Sequence, residues 1–414
     1  MKRRLVLALS TALGLTVPAT AEPAREACKG GLCEGRALVP FLRVLKTARS
    51  RPVHILQIGD SHTANDNFAG AWRDILQARY GDAGRGVLPP GRPWAAYSQH
   101  QVTVTQSPDW LVSSVLTARK AGRSDQIFGV SGWRLSAPPA GGELKLQAED
   151  GHAFRRFVVC AASGPTAGVM TLSMGGQAAS VQLRANKAGA LCSSLTADAP
   201  ATTAAVTAGA GVDLLSWAVF TGQPGVVVSN LGVTSSELAT MGLNGDEALE
   251  AELAAYAPDL IVLAYGTNEG FHSNFSSADY EAVLRAQIER IRRLAPGAPI
   301  LLLGAPDAQT RLRGALANSD QGHLARVGAG GWFSPPALED IRAIQRRVAA
   351  SEHVAMWDWG VRMGGVGAAA RWANADPPLI HADHVHYTPL GGQRLAERLQ
   401  GDLDGLCNAA CGKD

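Results

Sequence analysis

The sequence predicts an α/β fold, a parallel sheet covered by helices on both faces, interrupted by an inserted antiparallel β-sandwich. Three observations carry this. Apolar runs at 53–58 (VHILQI), 260–264 (LIVLA) and 300–303 each end in a turn, with a helix-like segment further on. Strands alternating with helices in this way favour a parallel sheet. From about 94 to 222 the alternation stops, and short strand-like runs follow one another between Gly, Pro, Ser and Asn. Little helical periodicity is left there, which fits an antiparallel sandwich. At 225–230 (GVVVSN) the α/β pattern resumes, so the β-rich part reads as inserted within the α/β domain.

At the start of the chain, Lys2, Arg3 and Arg4 precede an apolar run at 5–17, and Ala19-Thr20-Ala21 follows it. A positive, then apolar, then small-x-small order is that of a cleaved secretory signal, so residues 1–21 are expected to be removed and the remainder exported to the periplasm or beyond. The run is shorter than the roughly 20 residues that span a bilayer, and no later segment is apolar enough to be expected to cross one. The chain holds 38 Lys+Arg against 36 Asp+Glu, and losing the three N-terminal cations leaves 35 against 36. That balance gives no reason to expect nucleic acid or an anionic membrane as partner.

The first strand, 53–58, leads through GDSHTAND into a helix expected over 67–80. In the β-rich part, strands are expected at 100–106, 156–161, 168–174, 179–184 and 213–220. After 225–230 and 260–264, helical spacing predicts a helix at about 277–295. Strand 300–303 precedes a helix at about 336–350, and 354–357 precedes a last amphipathic helix at about 389–403. The expected organisation is a discontinuous α/β domain, 22–93 with 223–414, around an inserted module at 94–222. Six cysteines in an exported chain favour disulfides. Pairing 28–33, 160–192 and 407–411 is the simplest of the fifteen connectivities that six cysteines allow.

Ligands and chemistry in open α/β sheets lie beyond the carboxyl ends of the strands. Ser61 stands there, in Gly59-Asp60-Ser61-His62. A serine hydroxyl becomes a nucleophile when a base, itself oriented by a third group, is within hydrogen-bond reach. Asp383-His384-Val385-His386, just before the last helix, can supply both, because an Asp three residues before a His lets one turn present base and orienting carboxylate. The cluster His381, Asp383, His384 and His386 also admits a zinc site, although three convergent ligands from so short a loop are rare. Two further loops offer donors for a developing oxyanion: Gly232, through its backbone N–H, and Asn268, through its amide. His62, Asp60 and Glu269 can shape the pocket without a defined role, and Trp110, Trp133 and Trp217 are either sandwich core or a sugar-stacking face.

The order Ser, Gly, Asn, Asp-x-x-His resembles the SGNH/GDSL hydrolase superfamily. Its four blocks would be IGDSHTAND with Ser61, SNLGVTSSEL with Gly232, YGTNEG with Asn268 and DHVHYT with His386. Block three reads GTNE where many members read GxND. The resemblance implies a flavodoxin-like three-layer sheet, Ser61, Asp383 and His386 as triad, and Ser61, Gly232 and Asn268 as oxyanion donors, with no cofactor and no metal. GDSHTAND followed by YGDAGRGVLPPG and a β-rich insertion also looks like the periplasmic peptidoglycan O-acetylesterases of Gram-negative bacteria. That likeness implies an acetylated glycan, above all peptidoglycan, as partner. The alternatives are an O-acetyltransferase using the same site and a glycan-binding protein without catalysis.

Overall fold

In a computed structural model the described residues are 28, 30–95, 97–122, 126–311 and 331–412; the expected signal segment 1–21 lies outside them. The central sheet has six strands: β1 (Leu32–Cys33), β2 (Pro52–Gly59), β3 (Gly225–Gly232), β4 (Leu260–Ala264), β5 (Ile300–Leu303) and β6 (Ala355–Trp357). Their order is β1-β6-β5-β4-β2-β3, parallel throughout except that β1 runs antiparallel to β6.

The alternation of each strand sorts its side chains to two cores. Val53 and Ile55 of β2, with Val226 and Val228 of β3, face Phe68 and Trp72 of one helix and Leu395 and Leu399 of another. Leu56 and Ile58 face the opposite side, with Leu249, Ile288 and Ile341. The helices on the first side are α1 (Val39–Lys46), α2 (Asn67–Tyr80) and α6 (Pro389–Ala410). On the second side lie α3 (Asp246–Tyr256), α4 (Ser277–Leu294) and α5 (Ala337–Glu352). This is the three-layer α/β arrangement expected. Helix α6 continues to Ala410, beyond the 389–403 of the apolar pattern, and the Cys407–Cys411 disulfide ties its last turn. Periodicity alone missed that turn because its support is covalent. The other bonds are Cys28–Cys33 and Cys160–Cys192, which gives the simplest pairing.

Two antiparallel sheets form the β-rich part. One orders Gln177–Gln182, Val169–Met174, Thr203–Ala208, Gly142–Ala148 and Val102–Gln106. The other orders Gly189–Ala201, Phe154–Ser163, Asp213–Phe220, Trp133–Ser136 and Leu111–Ser114. Gly86–Leu88 also pairs with Asp213–Phe220. Leu144, Leu146, Leu172, Phe157, Val159 and Trp217 fill the space between the sheets. The alternate residues of the second sheet, Val158, Cys160 and Ala218, turn outward into the core shared with α3. The sandwich is therefore packed onto the α/β layers as well as joined to them.

Candidate active site

Ser61 begins a four-residue helical turn, Ser61–Ala64, directly after β2. Asp60 caps the turn, its Oδ1 accepting the N–H of His62 at 2.9 Å. Buried polar groups fix the turn from below. Asn230 donates to the Thr63 carbonyl at 2.9 Å, Gln57 to the Thr63 hydroxyl at 2.9 Å, and Gln99 to the Ala64 carbonyl at 3.2 Å. Asn230 is itself held by Arg73 and Arg85, at 3.1 and 2.7 Å. Asp66 takes a two-pronged bond from Arg73 at 3.0 and 2.9 Å. Burial alone would raise the Asp66 carboxyl, but Arg73 and Arg85 outweigh it and hold it at about 2. A buried charge is tolerated when it is paired and bonded in this way.

The loop before α6 brings the partner. His386 Nε2 lies 2.9 Å from Ser61 Oγ, and His386 Nδ1 lies 2.7 Å from Asp383 Oδ2. The other carboxylate oxygen, Oδ1, accepts the N–H of Val385 at 2.9 Å and of His386 at 3.0 Å. Desolvation pushes the Asp383 carboxyl up, but these three donors hold it below the usual carboxylate range. An ionised carboxylate can only accept, so Nδ1 carries the hydrogen and the Nε2 lone pair faces the Ser61 hydroxyl. That is the tautomer a general base needs. Residues 325 positions apart in sequence thus form one hydrogen-bonded relay.

Gly232 ends β3 in register with Gly59. A Cβ on Gly232 would stand 2.2 Å from the Ala64 nitrogen and 2.5 Å from the Asp60 carbonyl oxygen, so only glycine lets β3 lie against the Ser61 turn. Asn268 sits in the turn Thr267–Gly270, and its Nδ2 donates to the Ser236 carbonyl at 2.8 Å, which uses one of its two N–H groups. Its neighbour Glu269 is buried, with Oε1 accepting the Leu238 N–H at 2.7 Å, and burial pushes its carboxyl up to about 7. Beside this turn a cleft of about 420 Å³ opens, lined by Arg119, Glu237, Glu269, His272, Phe275 and Tyr280.

Two rings of the histidine-rich loop, those of His384 and His386, are spent on the protein. His384 Nδ1 bonds Gln309 Oε1 at 2.9 Å and its ring stacks on Trp332 at 3.7 Å, while both nitrogens of His386 are engaged in the relay. The tryptophans weighed as a sugar-stacking face are all buried. Trp217 lies in the sandwich core, Trp110 donates to Ser107 Oγ at 3.1 Å, and Trp133 donates to the Gly232 carbonyl at 3.0 Å. This last contact, between the β-rich part and an oxyanion-block residue, had no signal in the sequence. Neither had the Asp66–Arg73–Arg85–Asn230 cluster, in which α2, with Asp66 at its cap and Arg73 within it, meets Arg85 from a loop and Asn230 from β3.

The sequence of residues 193–394 matches the GDSL-like Lipase/Acylhydrolase family, just under half of the chain. A solved peptidoglycan O-acetylesterase superposes with a TM-score of 0.74 at 27% identity, covering 92% of this chain and 99% of that one. In sequence and in fold the chain resembles the ester hydrolases of the SGNH kind. Its resemblance to the peptidoglycan O-acetylesterases extends over nearly the whole fold, sandwich included. Smaller likenesses include a putative GDSL-like lipase from Parabacteroides merdae, at 17% identity over 44% of this chain and 74% of that one, with a TM-score of 0.31. An acetyl xylan esterase matches at 16% identity over 43% and 81% of the two chains, also with a TM-score of 0.31. No curated protein sequence matches the chain. The family match holds Gly232, Asn268, Asp383 and His386 but begins at residue 193, after Ser61 and within the β-rich part.

Proposed function

We propose that this protein is an exported serine esterase that removes O-acetyl groups from an acetylated glycan, peptidoglycan first among them. Residues 22–93 and 223–414 would form its catalytic domain and 94–222 its inserted module. The observation that carries the proposal is the relay from Ser61 through His386 to Asp383, at 2.9 and 2.7 Å, at the carboxyl end of β2. The likeness to a peptidoglycan O-acetylesterase over 92% of the chain supports the substrate class. Three disulfides and the signal-like residues 1–21 support export.

In the proposed reaction Ser61 Oγ attacks the acetyl carbonyl carbon as His386 Nε2 takes its proton. The carbonyl oxygen gains negative charge, and the Ser61 and Gly232 N–H groups with the Asn268 amide receive it. Losing one such donor costs about 3–4 kcal/mol of transition-state stabilisation. The carbon–oxygen bond to the sugar then breaks, and the sugar oxygen leaves with the proton from His386. Water, deprotonated by His386, clears the acetyl group from Ser61 as acetate. The cleft of about 420 Å³ lined by Glu269 and His272 lies beside the turn that carries Asn268.

The test is acetate release from O-acetylated peptidoglycan by the mature protein and by Ser61→Ala, with base-stripped wall as control. Release by the wild type alone, from acetylated wall alone, is expected. Full release by Ser61→Ala would remove Ser61 from the mechanism. Hydrolysis of a small aryl acetate without release from the wall would move the substrate to another acetylated glycan.

A further inference from the structure

His62 follows the nucleophile directly, yet its side chain points into the protein and is almost wholly buried. Nε2 lies 3.0 Å from the carbonyl oxygen of Val385, and Nδ1 lies 3.3 Å from Asp60 Oδ1. A carbonyl oxygen can only accept, so Nε2 carries a hydrogen and donates it. The ring lies face to face with His386, centroids 5.3 Å apart and planes 29° apart, and is enclosed by Tyr387 and Trp359 at 5.1 and 5.8 Å. Val385 sits between Asp383 and His386, and its own N–H is bonded to Asp383. Its peptide groups are therefore held from both ends, by the triad carboxylate at the N–H and by His62 at the carbonyl.

From this geometry we propose that His62, oriented by Asp60, is a positioning residue that sets the reach of His386 to Ser61. The inference rests on the esterase reading. His62 and Ser61 share one turn, and Val385 and His386 share one loop. The bond from His62 to Val385 therefore pins the loop that carries the base to the turn that carries the nucleophile. It is a second Asp–His pair beneath the first, ending on a backbone carbonyl instead of a hydroxyl. Desolvation opposes a charge on His62, but Asp60 and the Val385 carbonyl outweigh it and raise the imidazole above its ordinary value. That favours the form in which both ring nitrogens donate. Small misplacements of reacting groups cost up to about 100-fold in rate, so loss of this bond should appear in turnover more than in substrate affinity.

The test uses the full mature protein and two readouts that need no glycan: steady-state hydrolysis of 4-nitrophenyl acetate and the rate of Ser61 sulfonylation by phenylmethanesulfonyl fluoride. For His62→Ala, kcat and the sulfonylation rate are expected to fall together by about 10–100-fold, with KM within about twofold. His62→Gln has an amide N–H that can reach the Val385 carbonyl, and is expected to recover most of that loss. Circular dichroism separates folded from unfolded variants. If His62→Ala does not fold, the Gln variant and Asp60→Asn carry the comparison, with the Asn variant expected to lose rate and the Gln variant to keep it. A folded His62→Ala with wild-type kcat and sulfonylation rate overturns the proposal, and so does a Gln variant as slow as the Ala one. A wild type inert in both assays would instead sink the esterase reading itself.

Discussion

At the scale of single residues, the carboxylate of Asp383 is divided between two tasks. Oδ1 accepts two backbone N–H groups, and Oδ2 accepts the ring N–H of His386. The division makes Asp383→Asn informative. An asparagine must keep its oxygen toward the two backbone donors, so its NH2 group turns toward His386 Nδ1. That nitrogen then has to accept, the hydrogen moves to Nε2, and the lone pair facing Ser61 is gone. Asp383→Ala leaves the tautomer free instead. We expect Asp383→Asn to lose about 10⁴-fold in kcat, as a wrong-tautomer variant does, and Asp383→Ala to lose less. Aryl acetate kinetics on both variants, with folding checked by circular dichroism, measure the order; a more active Asn variant would show that Asp383 does not set the tautomer.

At the scale of elements, α3 is the bearing surface between the α/β layers and the second sheet of the sandwich. Glu252, on α3 and wholly buried, receives the Val130 N–H and the Ser216 hydroxyl, and Tyr256 bonds Ser216 at 2.7 Å. No cation is among these partners. Burial therefore dominates and pushes the carboxyl from 4.5 up to about 7, against the two hydrogen bonds that lower it. The folded state holds its proton more tightly than the unfolded chain does. The associated stability is thus full below about pH 4.5 and is lost as pH rises through about 7. Glutamine can accept from Val130 with its oxygen and donate to Ser216, and it never ionises. Glu252→Gln should therefore gain melting temperature relative to the wild type between pH 5 and pH 8. Taking the difference cancels the slopes of Glu269, which has the same sign, and of His54, held down to about 4 by burial, which has the opposite one. A difference that stays flat with pH would mean that Glu252 does not change charge in this range.

For the whole molecule, the sequence was informative where chemistry or periodicity is local. The strands at 260–264 and 300–303 were visible as unbroken apolar runs, because a parallel strand between two helix layers is buried on both faces, and the segment at 67–80 was visible as helix-like. Ser61, His386 and Asp383 were visible because short motifs carry them. Contacts joining distant elements leave no such trace: His62 to Val385, Arg85 to Asn230, and Trp133 to Gly232 join residues 323, 145 and 99 positions apart. Trp133 shows why that matters. From sequence it could be core or a sugar platform, and in the fold it is a buried prop whose indole N–H satisfies the carbonyl of the strand end that faces the Ser61 turn. Gly132 presses on the same place, since a Cβ there would stand 2.8 Å from Val233 Cγ2. The sandwich thus supports the site as well as extending the surface. Trp133→Phe keeps one of the two fused rings and removes the other with its N–H, so it takes the indole donor from the Gly232 carbonyl and leaves a small gap in a buried place. We expect a stability loss of about 1–3 kcal/mol, with kcat on an aryl acetate several-fold lower although Trp133 touches no reacting atom. Denaturant unfolding and steady-state kinetics on this one variant measure both. If stability falls while kcat holds, the inserted sheet braces the fold and leaves the geometry of Gly232 to β2 and the Ser61 turn.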